Sequence, residues 1–400
     1  MSSDDRDEEA LVRRRIAALL ADQPPERTPR EAFLAARFDA GLAWVWFPEG
    51  RGGLGVAPAL QTLADRELRA AGAPPTFASA VGYMMAGTTI AAFGTPEQQD
   101  RYLKATYATP VTWCQLFSEP GAGSDLAGLA TRAVRDGDEW VVDGQKVWSS
   151  DAHVADWGLL VARTDPDVPK HQGLTYFIVD MHAPGVEVRP LRNMAGTAEF
   201  NETFLSGVRI PDRDRLGAVG DGWRVALATL MNERVNFTVE MDGAGAPRAD
   251  ATILDAVRLL RERAPGDRVR RDRLMQVWIR YEVLRLTAER AARALDAGTP
   301  GPEGSIGKLL STELTKAVAE LGVELLGADG MVLPDRYPEA REEPSPALAD
   351  DIRFAFLESP SNTIMGGTSE IQRNNLGERV LGLPGEPRVD KGIPWSRLPR

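Results

Sequence analysis

Residues 114–128 read CQLFSEPGAGSDLAG, and the reading of the whole fold starts from them. Cys114 to Phe117 close an apolar run that begins at Val111 and predicts a strand; the remainder is a glycine-rich turn carrying Ser118, Glu119, Ser124 and Asp125. Such a turn offers backbone N–H groups and small hydroxyls to a ligand that approaches closely, and it equally suits a plain tight turn capped by Ser124 and Asp125. The stretch also marks a change of texture. Upstream, from about Leu11 to Tyr107, the pattern is helical and alanine-rich, broken at Pro24-Pro25, Pro74-Pro75 and Thr95-Pro96. Downstream, short extended runs at Thr131–Arg135, Glu139–Val142 and Gln145–Ser149 are punctuated by Asp136-Gly137 and Asp143-Gly144, which read as hairpin turns. Gly158–Ala162, Thr175–Val179, Val186–Pro190, Glu199–Leu205 and Val208–Ile210 continue the series. From Trp223 the helical period returns and holds to about Leu381, interrupted by a Pro/Glu/Arg-rich loop at Pro334–Pro346.

Composition bounds the function classes. At about 150 residues per domain, 400 residues give two or three domains, and 43% hydrophobic content supplies each with a core. The 47 basic and 58 acidic residues leave a formal charge of −11, which argues against bulk attraction to nucleic acid or an anionic membrane. One cysteine, Cys114, excludes an intramolecular disulfide and a cysteine-based zinc cage, and it fits a reducing compartment. His153, His171 and His182 lack the spacing of a metal-binding helix, so no metal site is expected. The start, MSSDDRDEEALVRRR, lacks the apolar segment of a signal peptide, and no run approaches the roughly 18 apolar residues of a membrane span. The expectation is a soluble, cytoplasmic protein with no nucleic-acid partner. Gly50, Gly52 and Gly55 spell GxGxxG, but the Trp44–Pro48 stretch before them and Val56-Ala57-Pro58 after them do not give the strand and helix of a dinucleotide fingerprint.

Two further motifs bear chemistry. KVWSSDAHVADW, residues 146–157, puts Trp148 and two serines at a strand end, an arrangement that suits a flat aromatic cofactor or a half-buried sheet-edge tryptophan. NTIMGGTSEIQRNNLGERVLG, residues 362–382, sets two glycines and Thr368-Ser369 before an amphipathic helix. Such a start suits a pyrophosphate, or simply a glycine turn with an N-cap.

With these three motifs in this order on an α, β, α background, the chain resembles the acyl-CoA dehydrogenase family of flavoenzymes over roughly residues 5 to 385, and most the branch common in actinobacteria. The resemblance implies an α+β fold: a helical domain at 1–110, a β-barrel-like domain at 111–213, a four-helix bundle at 214–385 and a tail at 386–400. It implies FAD as cofactor, an acyl-CoA substrate, an electron-transferring flavoprotein as electron acceptor, and a homo- or heterotetramer. The implied reaction is α,β-dehydrogenation to a trans-2-enoyl-CoA: a carboxylate takes the α proton, the β hydrogen leaves as hydride, and donors stabilise the thioester oxygen. By similarity, Leu116, Ser118, Trp148 and Ser150 would meet the isoalloxazine, and Ser124 the pantetheine. Thr368 and Glu370 would meet the pyrophosphate and adenosine region, and Gly327 and Gly330, in LLGADGM, would contribute FAD contacts from an adjacent subunit.

Three departures stand out. Gly366 occupies the position where many members carry the catalytic glutamate, so only its backbone N–H can serve the thioester carbonyl. Glu233, in Leu230-Met231-Asn232-Glu233-Arg234, matches the alternative base position of isovaleryl- and long-chain acyl-CoA dehydrogenases, with Arg234 beside it to set its ionisation. The family's RxxFG arginine has no clean counterpart in Arg261-Glu262-Arg263-Ala264-Pro265-Gly266, leaving Arg261, Arg263 or Arg270, and an adenine-contacting glutamine is replaced by Glu324. Two other readings stay open: a non-catalytic partner subunit that completes another chain's FAD site, and a flavin enzyme acting on a carrier-protein-bound acyl group.

Overall fold

The structure, a computed structural model, describes residues 3–239, 248–296, 303–335, 350–388 and 390–399. Helices α1 (Ser3–Asp22), α2 (Arg30–Asp39), α3 (Leu60–Ala70), α4 (Gly87–Phe93) and α5 (Pro96–Ala108) come first. Strands β1 (Trp113–Leu116), β2 (Arg132–Asp136), β3 (Glu139–Lys146), β4 (Trp157–Arg163), β5 (Leu174–Asp180), β6 (Val186–Pro190), β7 (Asn201–Pro211) and β8 (Arg215–Leu216) follow. The chain then returns to helix: α6 (Gly222–Val239), α7 (Arg248–Arg263), α8 (Arg268–Asp296), α9 (Glu303–Leu326), α10 (Ile352–Asn362) and α11 (Ser369–Asn375). Two compact units result. One takes the described residues up to Arg189, Asn201–Thr229 and those from Gly392 on; the other takes Pro190–Phe200 and the described residues from Leu230 to Lys391.

In the first unit the helices gather round Trp44, fully buried and stacked on the Phe47 and Tyr83 rings at centroid distances of 5.0 and 4.9 Å. The Gly50–Gly55 stretch lies in the loop between α2 and α3, where a Cβ on Gly52 would stand 2.6 Å from the Phe38 ring. Its glycines let a turn close on the aromatic cluster. Thr95-Pro96 starts α5 as a capping box: Thr95 Oγ1 accepts from Gln98 N–H and the Gln98 side chain accepts from Thr95 N–H. From α5, the Gln98 amide donates to the Arg213 and Arg215 carbonyls at 2.7 and 2.9 Å, and Tyr102 donates to Asp214 at 2.8 Å. These bonds seat the helical layer on the sheet.

The sheet order is β6-β7-β3-β2-β4-β5-β8, with β1 pairing parallel to β4. Asp136-Gly137 makes the expected hairpin, Asp136 facing Glu139 and Gly137 at φ 61°. Asp143-Gly144 does not reverse the chain. Instead β3 runs unbroken past it with a register shift between Val142 and Gly144, and Asp143 Oδ1 accepts from the Gly207 N–H on β7 at 2.8 Å. A Cβ on Gly144 would stand 2.3 Å from Thr131 Oγ1, so the glycine serves a close strand contact rather than a turn. The two runs expected at Glu199–Leu205 and Val208–Ile210 are likewise one strand, β7. Its inward side chains join Trp140, Val142, Leu160, Phe177 and Leu116 in one core.

The second unit is built on α7 to α10. Ile253 and Leu259, Leu274 and Leu284, Leu314 and Leu321, and Ile352 bring one face of each helix into a common core. A Cβ on Gly322 would overlap Ile352 Cδ1, so only glycine lets α9 and α10 approach this closely.

Candidate functional site

The glycine-rich loop after β1 is fixed from beneath by a buried ion pair. Lys146, at the end of β3 and fully buried, donates to the Phe117 carbonyl at 2.9 Å and to Glu119 Oε1 at 2.8 Å. Glu119 also accepts from the Ala130 and Thr131 N–H groups at 2.7 and 2.9 Å. Burial opposes charge on the Glu119 carboxyl, but Lys146 and these donors outweigh it and hold the group below the ordinary carboxylate range. Val147 N–H donates to the Ser118 carbonyl at 2.9 Å, so the loop start and the strand end are bound side by side. The sequence reading names Glu119 in the turn but not its pairing with Lys146, although the period-two alternation that buries Trp140 and Val142 also turns Lys146 inward.

At this strand end the backbone departs from the usual regions: Trp148 has φ 61° and Asp151 φ 56°, both left-handed without being glycine. Strain of about 1–2 kcal/mol at such a residue persists only where its surroundings fix it, and it marks candidate sites. Trp148 is 56% exposed, Ser150 is half-buried, and the fully buried Ser149 has a hydroxyl without a hydrogen-bond partner among the described residues. Ser118 is half-buried and Ser124 exposed at the loop tip, where Gly121 and Gly123 leave open space in place of a Cβ. Leu116 is fully buried in the core, which leaves its backbone as the part a ligand could meet. An exposed ring, an unsatisfied hydroxyl and small loop residues fit a planar cofactor with polar edges.

The second unit carries the double-glycine turn. Gly366 and Gly367 have φ of 64° and 92°, and both carbonyls are held: Lys308, buried, donates to Gly367 O at 2.6 Å and the Gln372 amide to Gly366 O at 3.2 Å. A Cβ on Gly367 would stand 2.8 Å from Gln372 Nε2. Thr368 is the N-cap of α11, its Oγ1 accepting from Ile371 N–H at 3.2 Å; the hydroxyl proton is left to donate to an anion. Glu370 is exposed beside Arg373 at 3.7 Å. Ser369, buried, donates to Glu313 at 2.8 Å, which with Arg373 lowers the Glu313 carboxyl from its ordinary value. Lys308, Glu313 and Gln372 are the residues here that sequence reading passes over: Lys308 and Glu313 act through partners 59 and 56 residues away, and Gln372 through a carbonyl of the preceding turn.

Glu233 and Arg234 fall on α6; their side chains lie outside the described residues. Gly327, at φ 59°, and Gly330 lie in the 3₁₀ turn that ends α9, beside the highly exposed Met331. Two of the three arginines considered for the missing pyrophosphate contact are engaged within the unit: Arg263 with Asp329 at 2.8 Å, and Arg270 with Asp267 at 3.0 Å and Glu324 at 3.4 Å. Arg273 also pairs with Glu324. No helix among the described residues is long and apolar enough to cross a membrane.

Comparison with known proteins matches the chain in three consecutive pieces: residues 8–109 to the acyl-CoA dehydrogenase N-terminal domain, 114–208 to the middle domain and 220–381 to the C-terminal domain. Acyl-CoA dehydrogenase FadE34 of Mycobacterium tuberculosis is 41% identical over 94% of this chain and 49% of its own length, so the chain spans about half of that relative. Acyl-CoA dehydrogenase IpdE1 of the same organism is 39% identical over 87% of this chain and 86% of its own. Among solved structures, the "Tcur3481-Tcur3483 steroid ACAD" matches with TM-score 0.71 and 28% identity, covering 96% of this chain and 99% of that one. The "ChsE4-ChsE5 complex from Mycobacterium tuberculosis" matches with TM-score 0.68 and 29% identity, again covering 96% and 99%.

Proposed function

The chain belongs to the acyl-CoA dehydrogenase family, and from that premise we propose that it catalyses α,β-dehydrogenation of an acyl-CoA thioester with FAD. The observation that carries the proposal is the bond from Val147 N–H to the Ser118 carbonyl beside the buried Lys146–Glu119 pair, next to which the strand end presents Trp148, exposed and with a left-handed backbone, and adjoining serines. When bound, FAD would supply the acceptor for the β hydrogen, lost as a hydride as the α–β double bond forms. Ser118, Trp148, Ser150 and the Leu116 backbone orient the isoalloxazine; Thr368 and Glu370 serve the pyrophosphate and adenosine end; Ser124 meets the pantetheine.

Glu233 takes the α proton and Arg234 favours its ionised form. The Gly366 N–H donates to the thioester carbonyl, where negative charge develops as the proton leaves. Absence of a side chain at Gly366 clears space near the α carbon, which supports a bulky or ring-bearing acyl group; the similarity to a structure titled steroid ACAD points the same way. An electron-transferring flavoprotein is the proposed electron acceptor, and the cytoplasm the proposed location.

For assembly, a tetramer with a second kind of subunit is favoured. Arg263 and Arg270 are paired within the unit, which makes them less available to a pyrophosphate and favours a charge from another chain, and two similar structures are named for pairs of chains. Met275, Ile279, Val283 and Leu286 form an exposed apolar stripe on α8 at helical spacing, suited to a subunit contact. The test is an anaerobic titration of the purified protein, alone and with candidate partner chains, using a panel of acyl-CoA thioesters. Bleaching of the oxidised flavin band by one class supports the reading. Glu233→Gln should keep the flavin and lose turnover by roughly 10²–10⁴-fold; full turnover in that variant would overturn the base assignment.

A further inference from the structure

We infer that the C-terminal strap, Gly392–Leu398, is a positioning element for the loop that carries Ser124, with Trp395 as its anchor. The inference rests on the reading of Ser124 as the pantetheine contact. It begins from Arg163, at the end of β4 and 2% exposed, whose guanidinium donates to the carbonyls of Ala127, Leu129 and Lys170 at 2.7, 3.0 and 3.2 Å. One arginine thereby joins the descending limb of the glycine-rich loop to the segment before β5. Lys170 closes the circuit, gripping both Asp125 carboxylate oxygens at 2.8 Å, one residue beyond Ser124.

The strap lies over this circuit. Trp395 stacks on the Arg163 guanidinium with 4.2 Å from Cζ to the ring centroid, and its indole N–H donates to Gly128 O at 3.1 Å. Its backbone is fixed in turn. Trp395 N–H donates to Val168 O at 2.9 Å, Ser396 N–H to Pro166 O at 2.8 Å, Ser396 Oγ to Asp167 at 2.9 Å, and Pro394 bridges Pro169. Burial pulls the Arg163 guanidinium down to about 10, so it stays charged at neutral pH and keeps its attraction for the indole face.

The loop is thus held at both ends by different devices, the Lys146–Glu119 pair at its start and Trp395 with Arg163 at its end, while its tip from Pro120 to Asp125 keeps only Ala122 buried. A tip so suspended reaches a ligand already ordered, and binding does not have to order it. Such an element affects ground-state and transition-state binding alike, so its loss raises KM and leaves kcat nearly unchanged.

The experiment compares Trp395→Ala and Trp395→Phe with wild type in the flavin-loaded assembly. Amide hydrogen exchange of residues 121–130 and steady-state kinetics with an acyl-CoA thioester are the two readouts. Trp395→Ala should speed exchange at Gly128 and Leu129 and raise KM, each by about tenfold, with kcat within about twofold. Trp395→Phe keeps a ring over Arg163 but lacks the N–H, and should fall between. If Trp395→Ala fails to fold, the exchange rate in Trp395→Phe decides: faster in the loop supports the strap, unchanged overturns it. Unchanged exchange and KM in both variants would overturn the inference. Failure of every acyl-CoA to react with wild type would instead overturn the proposed function, leaving loop exchange to decide the strap.

Discussion

Replacing Lys146 by methionine tests the anchoring of the site most directly. Lys146 is fully buried and the Glu119 side chain 8% exposed, so the substitution takes from the carboxylate its hydrogen-bonded counter-ion and leaves it the Ala130 and Thr131 N–H groups and the field of Arg163. Removing one partner of a buried pair costs about 3–5 kcal/mol, because the charge left behind has lost both water and its counter-ion. Methionine nearly matches the volume of the lysine stem, so cavity formation adds little. Converting Glu119 to glutamine at the same time removes the stranded charge, and the double variant Glu119→Gln/Lys146→Met should recover to within about 1–2 kcal/mol of wild type. Equilibrium urea unfolding of wild type, Lys146→Met, Glu119→Gln and the double variant gives the cycle, and flavin content shows whether the loop start held by the Val147–Ser118 bond survives. A single variant within about 1 kcal/mol of wild type, or a double variant no more stable than Lys146→Met, would refute the view that this pair is ionised and structurally decisive.

Two other outcomes follow from the same geometry. Gly367→Ala should destabilise the second unit by about 1–3 kcal/mol and lower flavin occupancy, since φ of 92° disfavours any side chain and the new Cβ would press on Gln372 Nε2 at 2.8 Å; thermal unfolding and the flavin-to-protein absorbance ratio check it. For pH, Arg215 and Trp140 hydrogen bonds bring Asp212 to about 2, and Glu119 and Glu313 are also lowered in the folded state. The folded state then binds fewer protons than the unfolded one between the two sets of values. The contribution is therefore complete above about pH 5 and is lost as pH falls toward 2; a thermal midpoint that rose on acidification through this window would contradict it.

How much of this was legible beforehand differs by feature. Strand and helix identity followed from side-chain period, because burial of one face imposes it residue by residue along the chain. The Asp143-Gly144 pair misleads for a physical reason: the dipeptide that reverses a hairpin also passes along a strand opposite a bulge, here on β7, and the choice depended on Gly207 and Thr131 lying opposite. GxGxxG at Gly50–Gly55 was correctly set aside, since its flanks lacked the strand and helix that give the motif meaning.

By itself the sequence determined the family and the α, β, α order, because these depend on local pattern and on short motifs. Only the tertiary structure decided what holds those motifs in place. Lys146 and Glu119 are 27 residues apart, Lys308 and Gly367 are 59 apart, and Trp395 is 267 from Gly128. Long-range hydrogen bonds and charge pairs of this sort leave no periodic trace, since each depends on where folding brings two single residues, and a lone lysine or tryptophan reads alike in either role.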